Sequence, residues 1–240
     1  MILKTTRLGY DGKGQRPVEN PKQAEKAWIE LGQQACIIEE KASFVCEISV
    51  VLARDQNGKT CCFPIAENEH RGGILHRSSV PADIDKNTEE KARAVARRIA
   101  VGLNYCGVLC VELFVMKNGQ LLVNEIAPRT HNSGHYTLDA CRTSQFDQQV
   151  KVLSGAPLGD TKLTQAVTMI NLLGSVWQDD ETSWYKRFPA STTRLHWYGK
   201  KEARAGRKMG HFCVLGKAVG ETVAMAEDIY RQLNQDDQHH

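Results

Sequence analysis

A tight hairpin spanning residues 108–125 is the feature that most constrains the fold of this chain. Two apolar, strand-like runs are joined by Asn118-Gly119, a dipeptide that strongly favours a two-residue hairpin turn. Counting outward from a loop of these two residues places Glu112 directly opposite Glu125. The pattern therefore predicts an antiparallel pair of strands that carries two facing carboxylates.

The same register makes a further prediction about the neighbours of the two glutamates. Val115 should face Leu122, so that the carboxylates share their strands with apolar side chains. Directly opposed side chains have Cβ atoms roughly 4.5–5.5 Å apart, and like charges at that distance repel. Two partly buried carboxylates in contact need protons or a cation between them. Mg²⁺, which prefers oxygen ligands, would suit Glu112 and Glu125.

Three other interpretations of the glutamate pair stay open at this point. The face could be exposed to solvent, or lysine and arginine side chains from elsewhere could neutralise it. The pair could also act as acid and nucleophile in glycoside hydrolysis. The sequence near the hairpin holds no aromatic cluster of the kind that binds sugars, which argues against that last alternative.

The segment that follows the hairpin offers groups that bind anions. Pro128 keeps Ala127 extended, and in extended chain Arg129 and His131 project to the same side. The planar guanidinium suits phosphate or carboxylate, and Asn132 adds an amide. A metal site followed by such groups is what phosphoryl transfer requires. Taken alone, His131 is more typical of a structural, hydrogen-bonded residue, and its position beside the carboxylates makes the two interpretations even.

The alternation of strands and helices favours an α+β fold with an antiparallel sheet over a doubly wound fold. Asn87 and Glu90 resemble a capping box at a helix start, and Phe146, Val150 and Leu153 form one apolar helix face. Helices are predicted over residues 21–31, 88–103, 144–154 and 221–233, and strands over 35–39, 46–54, 60–66, 107–116, 120–126 and 167–173.

Composition excludes several classes of protein. The 240 residues are 41% apolar and 25% charged, a globular balance, and the net charge of +3 is too small to indicate nucleic acid. The longest apolar run, residues 108–116, is interrupted by Glu112, so no membrane span is expected. Eight cysteines form no CxxC pair, which argues against a zinc finger. Free thiols in apolar runs indicate a reducing, cytoplasmic location, with disulfides as the alternative.

Two further segments could contact phosphate. The glycine-rich run 9–14, with Lys4 nearby, lets backbone N–H groups approach an anion; an ordinary hairpin is the alternative. Near the C-terminus, five basic residues could form a nucleic-acid patch, a solvated face or a phosphate site: Lys200, Lys201, Arg204, Arg207 and Lys208.

These segments, in this order, resemble the 5-(carboxyamino)imidazole ribonucleotide synthetase family of ATP-grasp ligases. The resemblance spans nearly the whole chain. It rests on Gly9–Gln15, Glu47–Ser49, Asn68–His70, Gly73–Leu75, Asn124–Arg129, His131–His135, Thr143–Phe146 and Gly206–His211.

The resemblance implies an ATP-grasp fold, with an antiparallel sheet and flanking helices. It implies a partial small lid (B) subdomain at 1–38, a larger ATP/Mg subdomain at 39–160 and a C-terminal β-rich subdomain at 161–240. The family carboxylates 5-aminoimidazole ribonucleotide with bicarbonate through carboxyphosphate, using ATP, in de novo purine biosynthesis. A non-catalytic ATP–Mg-binding fragment, or another ATP-grasp purine or carboxylase activity, is the alternative.

The resemblance also implies roles for individual residues. ATP and Mg²⁺ are the expected cofactors, and the ribonucleotide and bicarbonate are the expected partners. No nucleic acid or membrane is expected, and a homodimer is the assembly to test. Glu112 and Glu125 would hold Mg²⁺, and the catalytic residues would be Arg129, His131 and Asn132. The ATP-binding residues would be Lys4, Gly9, Tyr10, Asp11, Gly12, Lys13, Gly14, Glu39, Glu40, Glu47, His70, Arg207 and Lys208.

The chain departs from the family pattern at several places. The family begins with a Rossmann-like domain and a further phosphate-binding lysine, both before the position of Lys4. We therefore expect the chain to lack that N-terminal domain, and its activity without that domain is a point to test. The departures that bear on the hinge and on substrate contacts are Leu8, Lys41, Ser43, His76 and Ala205.

Overall fold

The computed structural model of the protein describes residues 1–7, 9, 14–176 and 188–235. Within these residues the chain forms two antiparallel sheets with flanking helices, as an α+β fold requires. Among the described helices, none has the length and apolar composition needed to cross a membrane.

The smaller sheet is built by the first strands of the chain. It has the order β2-β1-β3, from β1 (Ile2–Thr5), β2 (Gln15–Pro17) and β3 (Cys36–Glu39). Helix α1 (Pro21–Glu30) begins where the sequence predicts, because the Asn20 side chain accepts a hydrogen bond from the Gln23 N–H. Its buried face packs on the sheet through a small core of Leu3, Val18 and Ala27.

The larger sheet contains the remaining strands, and its order is β11-β12-β10-β7-β6-β4-β8-β9, with β5 paired to β4. Every neighbouring pair is antiparallel. The strands are β4 (Phe44–Arg54), β5 (Thr60–Cys62), β6 (Ala66–Arg71), β7 (Ile74–Val80), β8 (Gly107–Met116), β9 (Leu121–Ala127), β10 (Ala166–Leu173), β11 (Thr193–Trp197) and β12 (Lys208–Gly216). Strands from the predicted 161–240 segment therefore join the same sheet as those of the predicted 39–160 segment.

Helices cover both faces of this sheet, and the helices are α2 (Lys86–Gly102), α3 (Thr137–Ala140), α4 (Gln145–Ser154) and α5 (Val219–Gln235). Helix α2 packs on one face of β4 and β8, α4 packs on the other face, and α5 packs on β10 and β12. Strands buried on both faces read as continuous apolar runs, which is why β4 and β8 could be predicted.

Helix α4 covers only part of its face of the sheet. The apolar half of that face, represented by Val51 and Cys110, lies in a core with Val152 of α4. Further along the same strands and on the same face, Glu47 and Glu112 replace the apolar side chains. The α4 face therefore has an apolar half under the helix and a polar half that borders a cleft.

The structure corrects two predictions about helix ends and faces. Asp85, not Asn87, caps α2, because its carboxylate accepts from the Thr88 N–H at 2.9 Å and the Thr88 hydroxyl at 2.6 Å. Helix α4 has the predicted ends but not the predicted face. Val150 and Leu153 are 63% and 73% exposed.

The buried side of α4 is more polar than its sequence pattern suggests. Gln145, Gln148 and Val152 are the buried positions. Gln148 donates to the Gly159 carbonyl and accepts from the Gly159 N–H. Buried amides that satisfy backbone groups therefore replaced the apolar face that hydrophobic periodicity predicts.

Candidate active site

A cleft of about 740 Å³ lies between the small sheet and the polar half of the large sheet. Most of the residues predicted to bind nucleotide, metal or substrate line it. They are Lys4, Gly9, Gly14, Glu39, Glu40, Glu47, His70, Glu112, Glu125, Arg129, His131, Asn132 and Lys208.

The remaining predicted residues are not among those that line the described part of the cleft. Arg207 donates from its guanidinium to the Glu202 carbonyl oxygen at 2.9 Å. Tyr10, Asp11, Gly12 and Lys13, with the departure at Leu8, lie outside the described residues.

Glu112 and Glu125 are direct partners across β8 and β9, as the hairpin predicts. The predicted register beside the loop is wrong by one residue, because Val115 faces Leu121 rather than Leu122. The register then shifts by one between Glu112 and Leu113, which restores the opposed glutamates.

The loop itself explains the first of these two shifts. The Gly119 N–H donates to the Met116 carbonyl, and the Met116 N–H donates to the Gln120 carbonyl, each at 2.9 Å. Gly119 has φ +76°, a left-handed conformation typical of a three-residue hairpin loop. The loop is therefore one residue longer than predicted, and a bulge further along β9 compensates for it.

Glu112 is a buried carboxylate with acidic neighbours. It is 7% exposed. Burial first, and then the nearby charges of Glu47 and Glu125, raise the pKa of Glu112 to about 8, while Lys208 and Arg129 act in the opposite direction. Since each neighbouring negative charge makes ionisation harder, a cation bound beside Glu112 would favour its ionised form.

Glu47 completes the acidic cluster on the same face. Burial and, to a smaller extent, the charge of Glu125 raise the pKa of Glu47 to about 7, although a hydrogen bond from Asn68 acts in the opposite direction. Its Oε1 is buried without a hydrogen-bond partner, although His70 Nδ1 lies 3.4 Å away. A buried acceptor with no donor is costly. The donor set, all carboxylate oxygens, is the kind that a hard divalent cation prefers, so the residues present fit Mg²⁺.

His131 faces the cluster as a neutral ring with a defined proton. Its Nδ1 accepts from the Ser133 N–H at 3.3 Å and lies 2.8 Å from the Ser133 hydroxyl. When both of these groups donate to Nδ1, the ring proton is on Nε2. That nitrogen lies 3.5 Å from Glu112 Oε1. Burial first, and then the charges of Arg129 and Lys208, lower the pKa of His131 to about 3. The ring therefore presents an N–H to the carboxylates without adding a charge.

Two residues that sequence reasoning missed hold the loop that carries His131. Gln145 donates to the His131 carbonyl at 2.7 Å and accepts from the His131 N–H at 2.9 Å. Asn171 exchanges two hydrogen bonds with Asn132, at 2.9 and 2.6 Å, from its place on β10. An asparagine inside the apolar run of β10 was a signal that could have identified it, because buried polar groups need partners. The signal for Gln145 was its place in Thr143–Phe146, one of the segments that carry the family resemblance.

An aromatic pair on the large sheet lines the cleft beside the acidic cluster. Phe44 and Phe114 stack at 4.3 Å between ring centroids with planes 3° apart. Lys4 Nζ lies 2.5 Å from Glu39 Oε2. The cleft thus combines a flat aromatic surface on the large sheet with a charged pair on the small sheet.

Family models match two parts of the chain. Residues 1–146 match the ATP-grasp domain, and residues 167–225 match the phosphoribosylaminoimidazole carboxylase C-terminal domain. Among curated proteins, the N5-carboxyaminoimidazole ribonucleotide synthase of Bacillus subtilis is 45% identical over 224 residues, which cover 92% of this chain and 58% of the relative. The Brucella melitensis synthase is 46% identical over 216 residues, which cover 88% and 58%. The chain spans about three fifths of the length of these relatives.

Solved structures show the same likeness. A crystal structure of an N5-carboxyaminoimidazole ribonucleotide synthetase with ADP is 40% identical with a TM-score of 0.88, and the match covers 100% of this chain and 62% of that one. The Aspergillus clavatus synthase in complex with ADP and 5-aminoimidazole ribonucleotide has 25% identity, a TM-score of 0.88 and coverage of 98% and 62%.

Proposed function

Because this chain belongs to the ATP-grasp family and, within it, to the N5-carboxyaminoimidazole ribonucleotide synthases, we propose that its cleft binds ATP with Mg²⁺. We propose further that it serves the ATP-dependent carboxylation of 5-aminoimidazole ribonucleotide with bicarbonate in purine biosynthesis. The observation that carries the proposal is the cluster of Glu47, Glu112 and Glu125, which faces His131 across the same cleft.

The two opposed glutamates would hold the magnesium ion. Magnesium supplies charge neutralisation and bridging of phosphate oxygens when it is bound. Glu112 is buried, and Glu125 is exposed on the edge strand β9. Glu112 would therefore bind the ion from the side of the sheet, and Glu125 would bind it from the solvent side. Glu47 lies two positions from Ser49, which pairs with Glu112, and would bind the ribose.

The nucleotide would lie between the two sheets. Phe44 and Phe114 offer a flat apolar surface suited to a base, with Glu39 and Glu40 at the hinge beside it. Lys4 and the glycine run 9–14 would contact the phosphates. His70 and Lys208, which line the cleft, would add a donor and a charge. Arg207 would contact a phosphate only if its guanidinium left the Glu202 carbonyl.

The acid substrate would bind at the start of the loop after β9. Arg129 is exposed and available to an anion, while His131 presents its Nε2–H. Asn132 is held by the buried amide of Asn171. These three groups supply charge, a neutral donor and an amide, as a carboxyphosphate and an amine nucleophile would need.

The test separates nucleotide binding from turnover. Thermal unfolding with ATP and Mg²⁺, compared with ATP and EDTA, should show a higher midpoint in the presence of the metal. ADP release is then measured with the ribonucleotide, with and without bicarbonate, after the remaining two fifths of a relative is supplied as a separate polypeptide. Bicarbonate-dependent ADP release supports the proposal. ADP release that requires formate instead would assign a different ATP-grasp activity.

A non-catalytic nucleotide-binding role is the second candidate, because the cleft and its acidic cluster account for binding of a nucleotide with Mg²⁺ and not by themselves for turnover. A metal-dependent thermal shift without ADP release under any of these conditions would support this role. An unchanged midpoint with both nucleotide and metal would contradict both candidates.

We propose a cytoplasmic location, which is supported by eight cysteines that are all free. The homodimer stays a prediction, and sedimentation equilibrium of the chain measures it.

A further inference from the structure

We propose that Asp139, His196 and His211 form a second metal site, for a transition ion such as Zn²⁺, behind the loop that carries His131. The ligand atoms of these three side chains all lie within 4.8 Å of one another. The site goes beyond the proposed magnesium site and shares no ligand with it.

The topology brings the three residues together from distant parts of the chain. His196 on β11 and His211 on β12 are direct cross-strand partners, so their rings lie side by side on one face of the sheet. Asp139 comes from α3, and its Oδ2 lies 2.8 Å from His196 Nε2. Two imidazoles and a carboxylate are a ligand set typical of zinc.

His211 supplies an independent indication of a ligand. It is 1% exposed, and its Nε2 has no hydrogen-bond partner. Its Nδ1 lies 2.8 Å from the Tyr198 hydroxyl. When Nδ1–H donates to that hydroxyl oxygen, Nε2 carries a free lone pair. A hydrogen bond from the ring nitrogen that does not bind the metal is what fixes the tautomer of a metal-bound histidine.

The arrangement needs a modest adjustment to bind an ion. Zinc with bonds of roughly 2.0–2.2 Å would bring the ligand atoms to about 3.3 Å from one another. The two imidazoles are stacked, with ring planes 12° apart, so the His196 ring must tilt to direct its Nε2 toward the shared ion. The side chain of His196 is 31% exposed, which gives it room to tilt and gives the ion and a coordinating water a path in.

A metal at this site would restrict the motion of the 131–135 loop. The ring of His135 lies 5.1 Å from that of His211, and His135 Nδ1 lies 3.0 Å from the Gln145 amide that holds His131. An ion that ties α3 to β11 and β12 would therefore immobilise the surface on which the 131–135 loop rests.

In the experiment, the chelator-treated 240-residue chain is titrated with Zn²⁺, and with Co²⁺ as a spectroscopic probe. We expect one ion per chain and the visible absorption of tetrahedral cobalt. Asp139→Asn and His196→Asn should each weaken zinc binding by more than the roughly 10–100-fold seen when an outer-shell partner is lost. Their unfolding midpoints in EDTA show whether each variant still folds, and His196→Cys, which keeps a ligand, should retain binding.

Three controls make the result specific. His76→Asn alters the other histidine–carboxylate cluster, Cys106→Ser removes the exposed thiol, and Glu125→Gln alters the proposed magnesium site; all three should bind zinc as the unaltered chain does. Zinc binding that survives both Asp139→Asn and His196→Asn would overturn the proposal, and so would a failure to bind zinc at micromolar concentration. Neither outcome depends on whether the chain binds Mg–ATP.

Discussion

The side-chain amide of Gln145 satisfies both backbone groups of His131, donating to its carbonyl and accepting from its N–H. The same amide nitrogen lies 3.0 Å from His135 Nδ1. Gln145 is fully buried at the first turn of α4. One residue of a helix therefore fixes the backbone of the loop that faces the acidic cluster.

Gln145→Glu should destabilise the protein by about 1–3 kcal/mol, because it replaces the donor with an acceptor opposite a buried carbonyl. Gln149→Glu is the matched control. Gln149 uses its Oε1 to accept from the Val108 N–H, and a glutamate keeps that oxygen. Urea unfolding of both variants measures the difference, and equal losses would show that Gln145 is not a specific clamp.

Substitution of the opposed glutamates should weaken magnesium binding without lowering the stability of the metal-free protein. Glu112→Gln removes a buried charge that has acidic neighbours, so it should leave the metal-free protein as stable as before or more stable at pH 8. It should also abolish the extra thermal shift that Mg²⁺ adds to ATP. Glu125→Gln should reduce the same shift while changing metal-free stability by less than about 0.5 kcal/mol, because it is exposed. A full magnesium effect in Glu112→Gln would contradict the assignment.

Metal-free stability should fall between pH 6.5 and 8. The pKa values of Glu47 and Glu112 are raised to about 7 and about 8, so their contribution is complete below the ordinary value near 4.5 and is lost as the pH rises through 7 to 8. The pKa values of His131 and His135 are lowered to about 3 and about 4. The contribution of the two histidines to stability is complete above pH 6.5 and is lost only at lower pH. The change in stability between pH 6.5 and 8 therefore comes from the two glutamates.

The measurement is the free energy of unfolding in urea with EDTA at pH 6.5 and 8. Saturating Mg²⁺ with ATP should remove the decrease, since the metal replaces the protons. Glu112→Gln should make the decrease smaller even without metal, and Glu47 should account for the remainder. A decrease of the same size in Glu112→Gln would show that other groups cause it.

The hairpin shows how a sequence prediction can reach the right pair through a wrong intermediate. The longer loop shifts the register by one residue, and the bulge beside Glu125 shifts it back. Asn118-Gly119 identifies a turn but does not by itself distinguish a two-residue loop from a three-residue loop. The two deviations cancel, so the opposition of Glu112 and Glu125 could be predicted while the contacts of Val115 could not.

Hydrophobic periodicity could not identify strands of polar composition. β6 reads Ala-Glu-Asn-Glu-His-Arg from Ala66 to Arg71 and alternates only weakly. Its polar side chains are used inside the sheet, since Asn68 donates to Ser49 at 2.5 Å and accepts from Ser78 at 2.8 Å. A ladder of side-chain hydrogen bonds across β4, β6 and β7 stabilises it, and such a ladder is defined only by tertiary pairing.

Two neighbouring residues of helix α4 test which face of the helix packs against the sheet. Val152→Ala should cost about 1–3 kcal/mol, because Val152 is buried in the core with Val51 and Cys110 and its truncation leaves a cavity. Leu153→Ala should change stability by less than about 0.5 kcal/mol, although it is the adjacent residue and loses more apolar volume, because its side chain is largely exposed. Urea unfolding of the two variants measures the contrast. A larger loss for Leu153→Ala would mean that the predicted apolar face of α4, and not the observed one, packs against the sheet.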